Sequence, residues 1–293
     1  MTVESRYTKY DTLAWLYNLT MGSTYAETQL KTLDKILLPT LKKRSHILDL
    51  CCGTGQLAVL LGRKGYQISG LDSSEQMLKY AHKNSRHRAP QNNYILGDAR
   101  DFSLSKPVDT VISTSASLNH IMSLSDLKSV FFQVNNALKQ EGVFFFDINH
   151  HRQLDKWWNG RLAEGEIQKN YAWGITPYYD SQARIGSFQV KLYEAAKKNN
   201  SLFQMGKTLF YKLLSLKILN RFRLKVLNKF SAWQPNWNYA ELDYPVRGHT
   251  VEEIKQALTE TGFSRISVLT LDGAELDDNH SAYFIAYKSV SNE

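Results

Sequence analysis

Asp49, Asp72 and Asp98, with glycines at 53 and 55, are the residues whose types and spacing point most directly to chemistry. Ile47 to Ala58 reads Ile-Leu-Asp-Leu-Cys-Cys-Gly-Thr-Gly-Gln-Leu-Ala: a short apolar strand, a turn broken by two glycines, and the opening of a helix. Glycines let a backbone turn tightly against a bound molecule, and the first amides of the helix face it without partners. Gly53 to Ala58 also satisfies the dinucleotide pattern G-x-G-x-x-A, with Asp72 about twenty residues on. A carboxylate just ahead of the glycines is, however, a poor neighbour for a pyrophosphate and a good one for a cation. Asp72, closing the second strand, can accept both hydroxyls of a ribose. Asp98, after the third, can accept from the exocyclic amine of adenine while Ala99 offers a backbone amide. The set describes a nucleoside that carries an ammonium group and no phosphate. An NAD(P)-dependent oxidoreductase stays as the rival enzyme, and a nucleoside-binding scaffold without catalysis as the non-enzyme alternative.

These residues need strands that end together. The pattern predicts strands at Ile47–Leu50, Tyr66–Leu71, Asn93–Leu96, Val108–Thr114 and Val143–Ile148, separated by helices near 56–63, 73–83 and 126–139. Such alternation reads as a doubly wound α/β sheet with ligands at the carboxyl ends of its strands. Two helices rich in tyrosine, over residues 7–40, precede it. The alternation stops after strand five. Period-two patterning between 160 and 195 predicts antiparallel strands, and residues 201–230 read as helical. It resumes with a helix at Thr250–Gly262, capped by Thr250, and two closing strands near 264–271 and 281–288.

Composition narrows the class. With 43% hydrophobic and 22% charged residues, the 293-residue chain is that of an ordinary globular protein. The first residues lack the apolar core of a secretion signal, so a cytoplasmic location is expected. Cys51 and Cys52 are neighbours, which favours free thiols over a disulfide, and no spaced Cys/His set suggests a metal. The net charge of +8 is local: residues 191–230 hold ten Lys or Arg against Glu194, leaving the rest close to neutral.

On Asp49-x-x-x-Gly53-x-Gly55, the strand-two Asp72 and the Gly97-Asp98-Ala99 run, the chain resembles the class I S-adenosylmethionine-dependent methyltransferases, from about Ile47 to Asn149 and again from 250 to 288. The resemblance implies a Rossmann-like seven-stranded sheet with an inserted antiparallel β plus helical lid subdomain. Residues 1–149 and 248–293 would form the cofactor domain and 150–247 the insert. It implies S-adenosyl-L-methionine as cofactor, with Asp49, Cys51, Gly53 and Gly55 around its methionine part. Asp72 would hold the ribose, Ser73 and Met77 would lie beside the adenine, and Asp98 with Ala99 at its edge.

Enzymes that methylate base amines carry an Asn/Asp-Pro-Pro-aromatic run after strand four; Ser113-Thr114-Ser115-Ala116-Ser117-Leu118-Asn119-His120 departs from it. The Leu-Asn-His run resembles that of small-molecule methyltransferases, including those that dimethylate nucleotide-linked amino sugars. That implies His120, and with it Tyr17, near a small-molecule acceptor methylated on nitrogen or oxygen. An unperturbed imidazole, with a pKa of about 6.5, suits removal of an amine proton. His249, just before the Thr250 helix, is a further candidate for the same cleft. The insert would cover the acceptor. Its aromatics Trp157, Trp158, Tyr171, Trp173, Tyr178, Tyr179, Trp233 and Trp237 serve equally as pocket lining or as the insert's own core. The basic segment reads by default as a solvated face; membrane-surface contact by 207–230, with a lipid acceptor, is one alternative and a nucleic-acid partner another.

Overall fold

The computed structural model describes residues 3–195, 210, 211, 213, 214 and 216–289. Two compact units emerge, Met1–Gln153 with Arg247–Glu293, and Leu154–Val246.

In the first unit, α1 (Val3–Leu19) and α2 (Met21–Ile36) precede β1 (His46–Leu50), α3 (Gln56–Arg63), β2 (Gln67–Asp72), α4 (Glu75–Ser85), β3 (Asn93–Leu96) and β4 (Val108–Ser113). A 3-10 turn at Ser117–His120, α5 (Leu124–Ala137), β5 (Leu138–Ile148) and α6 (His151–Trp157) follow. After the insert, which begins within α6, a helix at Val251–Glu260 leads to the closing strands Phe263–Leu269 and Ala282–Lys288. The sheet has seven strands, ordered from one edge Phe263–Leu269, Ala282–Lys288, β5, β4, β1, β2, β3. The five that alternate with helices are parallel. Ala282–Lys288 is antiparallel to both of its neighbours. The direction of strand order reverses between β1 and β4, which is where such sheets open a ligand crevice.

Alternation along the central strands fills both faces. Leu48, Leu50, Val111, Phe144 and Phe146 pack under α5 and the Val251–Glu260 helix, while Ile47, Ile112, Val143 and Phe145 pack under α2 and α3. The latter helix opens with the expected cap: the Thr250 hydroxyl accepts from the Glu253 amide at 3.1 Å, and the Glu253 carboxylate accepts from the Thr250 amide at 2.8 Å. β5 is longer than the pattern suggested. Gln140-Glu141-Gly142, which precede the expected strand, are an irregularity within it, because Leu138 already pairs with Val108 and the register shifts before Val143 meets Thr110. Glu141 takes up that extra length at φ +58°.

The second unit is a four-stranded antiparallel-built sheet, in the order β6 (Glu164–Ile167), β7 (Tyr171–Asp180), β8 (Ile185–Glu194), β9 (Asn238–Arg247), with α7 (Asn220–Asn228) and α8 (Phe230–Trp233) between the last two strands. β9 escaped the sequence reading because its Asn-Tyr-Ala-Glu-Leu-Asp-Tyr-Pro-Val-Arg has acids and a proline where a buried strand would be apolar; half-exposed, it does not need them to be. The insert's aromatics divide. Tyr193, Tyr211, Phe230 and Trp237 form its core with Ile167, Leu214 and Leu227, and Trp173 and Tyr179 are buried, whereas Trp157 and Tyr178 face solvent. Residues 196–209, 212 and 215 of the basic segment lie outside the described residues. No described helix is long and apolar enough to cross a membrane.

Candidate active site

β1 delivers Asp49 between Gly70 of β2 and Ile112 of β4, in the middle of the sheet. Its carboxyl is 2% exposed, and Oδ2 has no hydrogen-bond partner among the described residues. Burial, and then the charge of Asp72, push its pKa up to about 7. The turn that follows is wound by three residues at positive φ, Cys51 at +63°, Gly53 at +54° and Gly55 at +73°. The two glycines serve different ends. A Cβ on Gly55 would stand 2.8 Å from both the Ala81 Cβ and the Tyr94 hydroxyl, so this glycine lets the turn sit on α4 and β3. A Cβ on Gly53 would meet only the Tyr17 ring, at 3.8 Å, so this glycine leaves space. Cys51 and Cys52 are free thiols, and burial raises Cys52 well above its ordinary value.

Asp72 ends β2 and ties the turn down. Its Oδ2 accepts from the Gly53 amide at 2.8 Å and its Oδ1 from the Ser74 amide at 2.9 Å. A carboxylate offers about four acceptor positions, so acceptor capacity is left toward a diol. Burial raises its pKa against the pull of the Ser74, Gly53 and Ser73 amides. Ser73 is half-buried at the entry to α4, Ser74 caps that helix by accepting from the Met77 amide at 3.1 Å, and Met77 is buried. Asp98 is engaged by Arg100, whose Nη2 lies 2.5 Å from Oδ2 and whose amide donates to Oδ1 at 2.9 Å. Its acceptor capacity toward a base is correspondingly reduced. Ala99 is buried in the core with Leu71 and Leu50.

α1 contributes residues that sequence reasoning missed. Asp11 accepts from the Ser74 hydroxyl and from the Gln76 amide at 3.2 Å, and the Asn18 side-chain oxygen accepts from Gln56 at 3.1 Å and Asn84 at 2.7 Å. These bonds fasten α1 to the opening of α3 and to both ends of α4, and Tyr17 lies over Gly53. The Tyr17 hydroxyl is raised far above its ordinary value by burial and by the charges of Asp49 and Asp72. The available signal was the seven-residue spacing of Tyr10 and Tyr17 beside Asp11 and Asn18, two full helical turns that keep tyrosine and polar partner on one face.

Beyond β4 the chain turns through Ser115 and Ala116, at φ +61° and +55°, without a glycine. Asp147 of β5, 2% exposed, accepts from the Ala116 amide at 3.0 Å. Burial drives its pKa up to about 7 against the pull of the Ala116 and Ser115 amides, and its Oδ1 has no partner among the described residues. The 3-10 turn then presents Asn119 and His120. Asn119 is buried and donates to the Asn149 and Arg247 carbonyls at 2.9 and 2.8 Å, while accepting from the Asn149 amide at 2.8 Å. His120 is half-buried, its ring edge-on to Tyr10 at 5.6 Å. α1 thus carries Tyr17 beside Gly53 and, through Tyr10, borders His120. His249 is placed otherwise: it is buried, with Nε2 3.4 Å from the Ile121 carbonyl oxygen, so it braces the residue after His120 from within the core. Among the described residues no His/Cys/Asp/Glu group is arranged to hold a metal ion.

Two features speak against the dinucleotide reading. The Gly53 amide is spent on Asp72 rather than left for a pyrophosphate, and the antiparallel Phe263–Leu269 and Ala282–Lys288 pair differs from the six parallel strands of a dinucleotide fold. Comparison with known proteins agrees. Residues 47–142 match the methyltransferase domain family. The putative methyltransferase YqeM of Bacillus subtilis is 29% identical over 46% of this chain and 55% of its own length. A dTDP-3-amino-3,4,6-trideoxy-alpha-D-glucopyranose N,N-dimethyltransferase of Streptomyces venezuelae is 27% identical over 49% of this chain and 55% of its own. The chain therefore spans about half the length of the curated relatives it matches. A crystal structure of an S-adenosylmethionine-dependent methyltransferase from Clostridium acetobutylicum superimposes with a TM-score of 0.67 at 16% identity, over 96% of this chain and 99% of that one. Residues 47–142 are thus similar to the methyltransferase domain family, and the fold is that of S-adenosylmethionine-dependent methyltransferases.

Proposed function

We propose that this chain transfers a methyl group from S-adenosylmethionine to a nitrogen or oxygen of a small-molecule acceptor. The observation that carries the proposal is the buried Asp49 carboxyl beneath the glycine turn, whose Oδ2 has no hydrogen-bond partner among the described residues. An uncompensated carboxylate there is costly, and a cationic ligand removes the cost. The donor set suits the cofactor: Asp49 for the charge of the methionine part with Cys51 and the Gly53–Gly55 turn around it, and Asp72 for the ribose diol. Ser73, Met77, Asp98 and Ala99 take the adenine, with Asp98 sharing its carboxylate with Arg100.

When bound, S-adenosylmethionine supplies a methyl already activated by its sulfonium, so the protein's task is alignment and exclusion of water. Tyr17, over Gly53 and beside Asp49 and Asp72, closes the turn from α1. His120 takes the proton of an incoming amine or hydroxyl, oriented by the edge of Tyr10 and by the Asn119 clasp. The insert, which leaves the chain just after β5, sets acceptor choice. The acceptor to try first is a nucleotide-linked amino sugar, the substrate in the name of the Streptomyces venezuelae relative. A panel of amines, amino sugars and alcohols with isotope-labelled methyl donor, read by mass, tests the proposal. A labelled product supports it, and absence of labelled product across all classes speaks against it. His120→Ala should lower turnover about a hundredfold with cofactor affinity unchanged; full turnover would assign His120 to packing.

A further inference from the structure

Residues 210–230 contain six lysines or arginines and no acid. Within the insert, the described part of this stretch runs from a 3-10 turn at Lys217–Leu219 into α7 and α8. One side is core, where Leu227 and Phe230 are buried against Leu214 and Tyr211. The other side is apolar and faces water: Ile218 is 88% exposed and Phe222 50%. Arg221, Lys225 and Lys229 are exposed beside them. Within α7, steps of three and four residues place Arg221, Phe222 and Lys225 along one stripe, with exposed Ile218 in the turn just before the helix and exposed Lys229 just after it.

A merely solvated helix face has no use for a large aliphatic and an aromatic side chain at its centre. A self-association surface is disfavoured by the unopposed positive charge, which would face itself across the contact. A nucleic-acid groove would want stacking aromatics between the cations, and the stripe has Phe222 alone beside an aliphatic. Apolar side chains flanked by cations suit the boundary between lipid headgroups and acyl chains. We propose that this face of the insert docks on an anionic lipid surface, with Ile218 and Phe222 entering the acyl boundary and Arg221, Lys225 and Lys229 meeting lipid phosphates.

Vesicle co-sedimentation of the full chain tests the proposal, with phosphatidylcholine vesicles compared against vesicles containing about 30 mol% phosphatidylglycerol. At about fivefold per cation, the three basic residues predict about hundredfold preference for the anionic vesicles at low salt. Ile218→Asp with Phe222→Asp, and separately Arg221→Glu with Lys225→Glu and Lys229→Glu, should each abolish it. All five side chains lie on the water-facing side, and an unchanged circular dichroism spectrum and melting temperature shows that the variants fold. Equal binding to both vesicle types, binding to neither, or undiminished binding by the Ile218/Phe222 variant overturns the proposal. Tighter binding to an RNA duplex than to anionic vesicles overturns it as well.

Discussion

The turns after β1 and β4 stand on either side of the sheet's switch point and solve one problem with different residues. Each carries positive φ, at alternate positions Cys51, Gly53 and Gly55 in one and at successive Ser115 and Ala116 in the other. Each is held by a carboxyl from the next strand outward, Asp72 of β2 on the Gly53 amide and Asp147 of β5 on the Ala116 amide. The difference lies in what is left over. Asp72 remains half-exposed and keeps acceptor positions for a ligand, whereas Asp147 is enclosed and pushed up to about 7. On the proposed function the first turn is both frame and binding site, and the second is frame and leaves contact with the acceptor to His120.

The largest effect expected from this comparison concerns Asp147. Because folding raises its pKa from 3.8 to about 7, the native state keeps a proton that the unfolded chain releases in that interval. Its contribution to stability is full below the unfolded value and falls as pH rises to about 7, by roughly 4 kcal/mol. Asp147→Asn should match the wild type near pH 4 and exceed it at pH 8 in urea unfolding; parallel pH profiles would show that the carboxyl is not held this way. Next in size, Gly55→Ala should cost about 3 kcal/mol, combining the clash with Ala81 and Tyr94 and the strained φ. Wild-type stability would mean the turn does not rest on α4. Asp72→Ala should weaken cofactor binding by about 1 to 3 kcal/mol, the cost of orphaned hydroxyls, and calorimetry that finds no change removes the ribose assignment. Smallest is Gly53→Ala, at about 1 kcal/mol of folding stability from its left-handed φ alone. A loss as large as that at Gly55 would erase the distinction between the two glycines.

The same comparison explains what the sequence made legible. Strands whose two faces are both buried are continuous apolar runs, and two glycines in a strand-to-helix turn announce themselves; the sheet and the Asp49–Asp72 set followed from these signals. The second turn gave no such sign, since the left-handed Ser115 and Ala116 are held by Asp147, which accepts from the Ala116 amide 31 residues away. α1 was legible as a helix, but not as the strap that Asp11 and Asn18 make of it, because their partners on α3 and α4 are distant in sequence. The insert's strand β9 was hidden by its own exposure. His249, attractive beside His120 in prospect, is turned toward the Ile121 carbonyl, a direction that no spacing rule encodes.

The central claim is that Asp49 receives a cationic nucleoside. Isothermal titration with S-adenosylmethionine, S-adenosylhomocysteine and NADH at pH 6 and 8 tests it most directly. With the Asp49 carboxyl at about 7, the charge that attracts the ligand is mostly absent at pH 6 and present at pH 8. S-adenosylmethionine should therefore bind about tenfold more tightly at pH 8, a ratio that disappears in Asp49→Asn. Tight binding of NADH, with none for either sulfur nucleoside, would contradict the account.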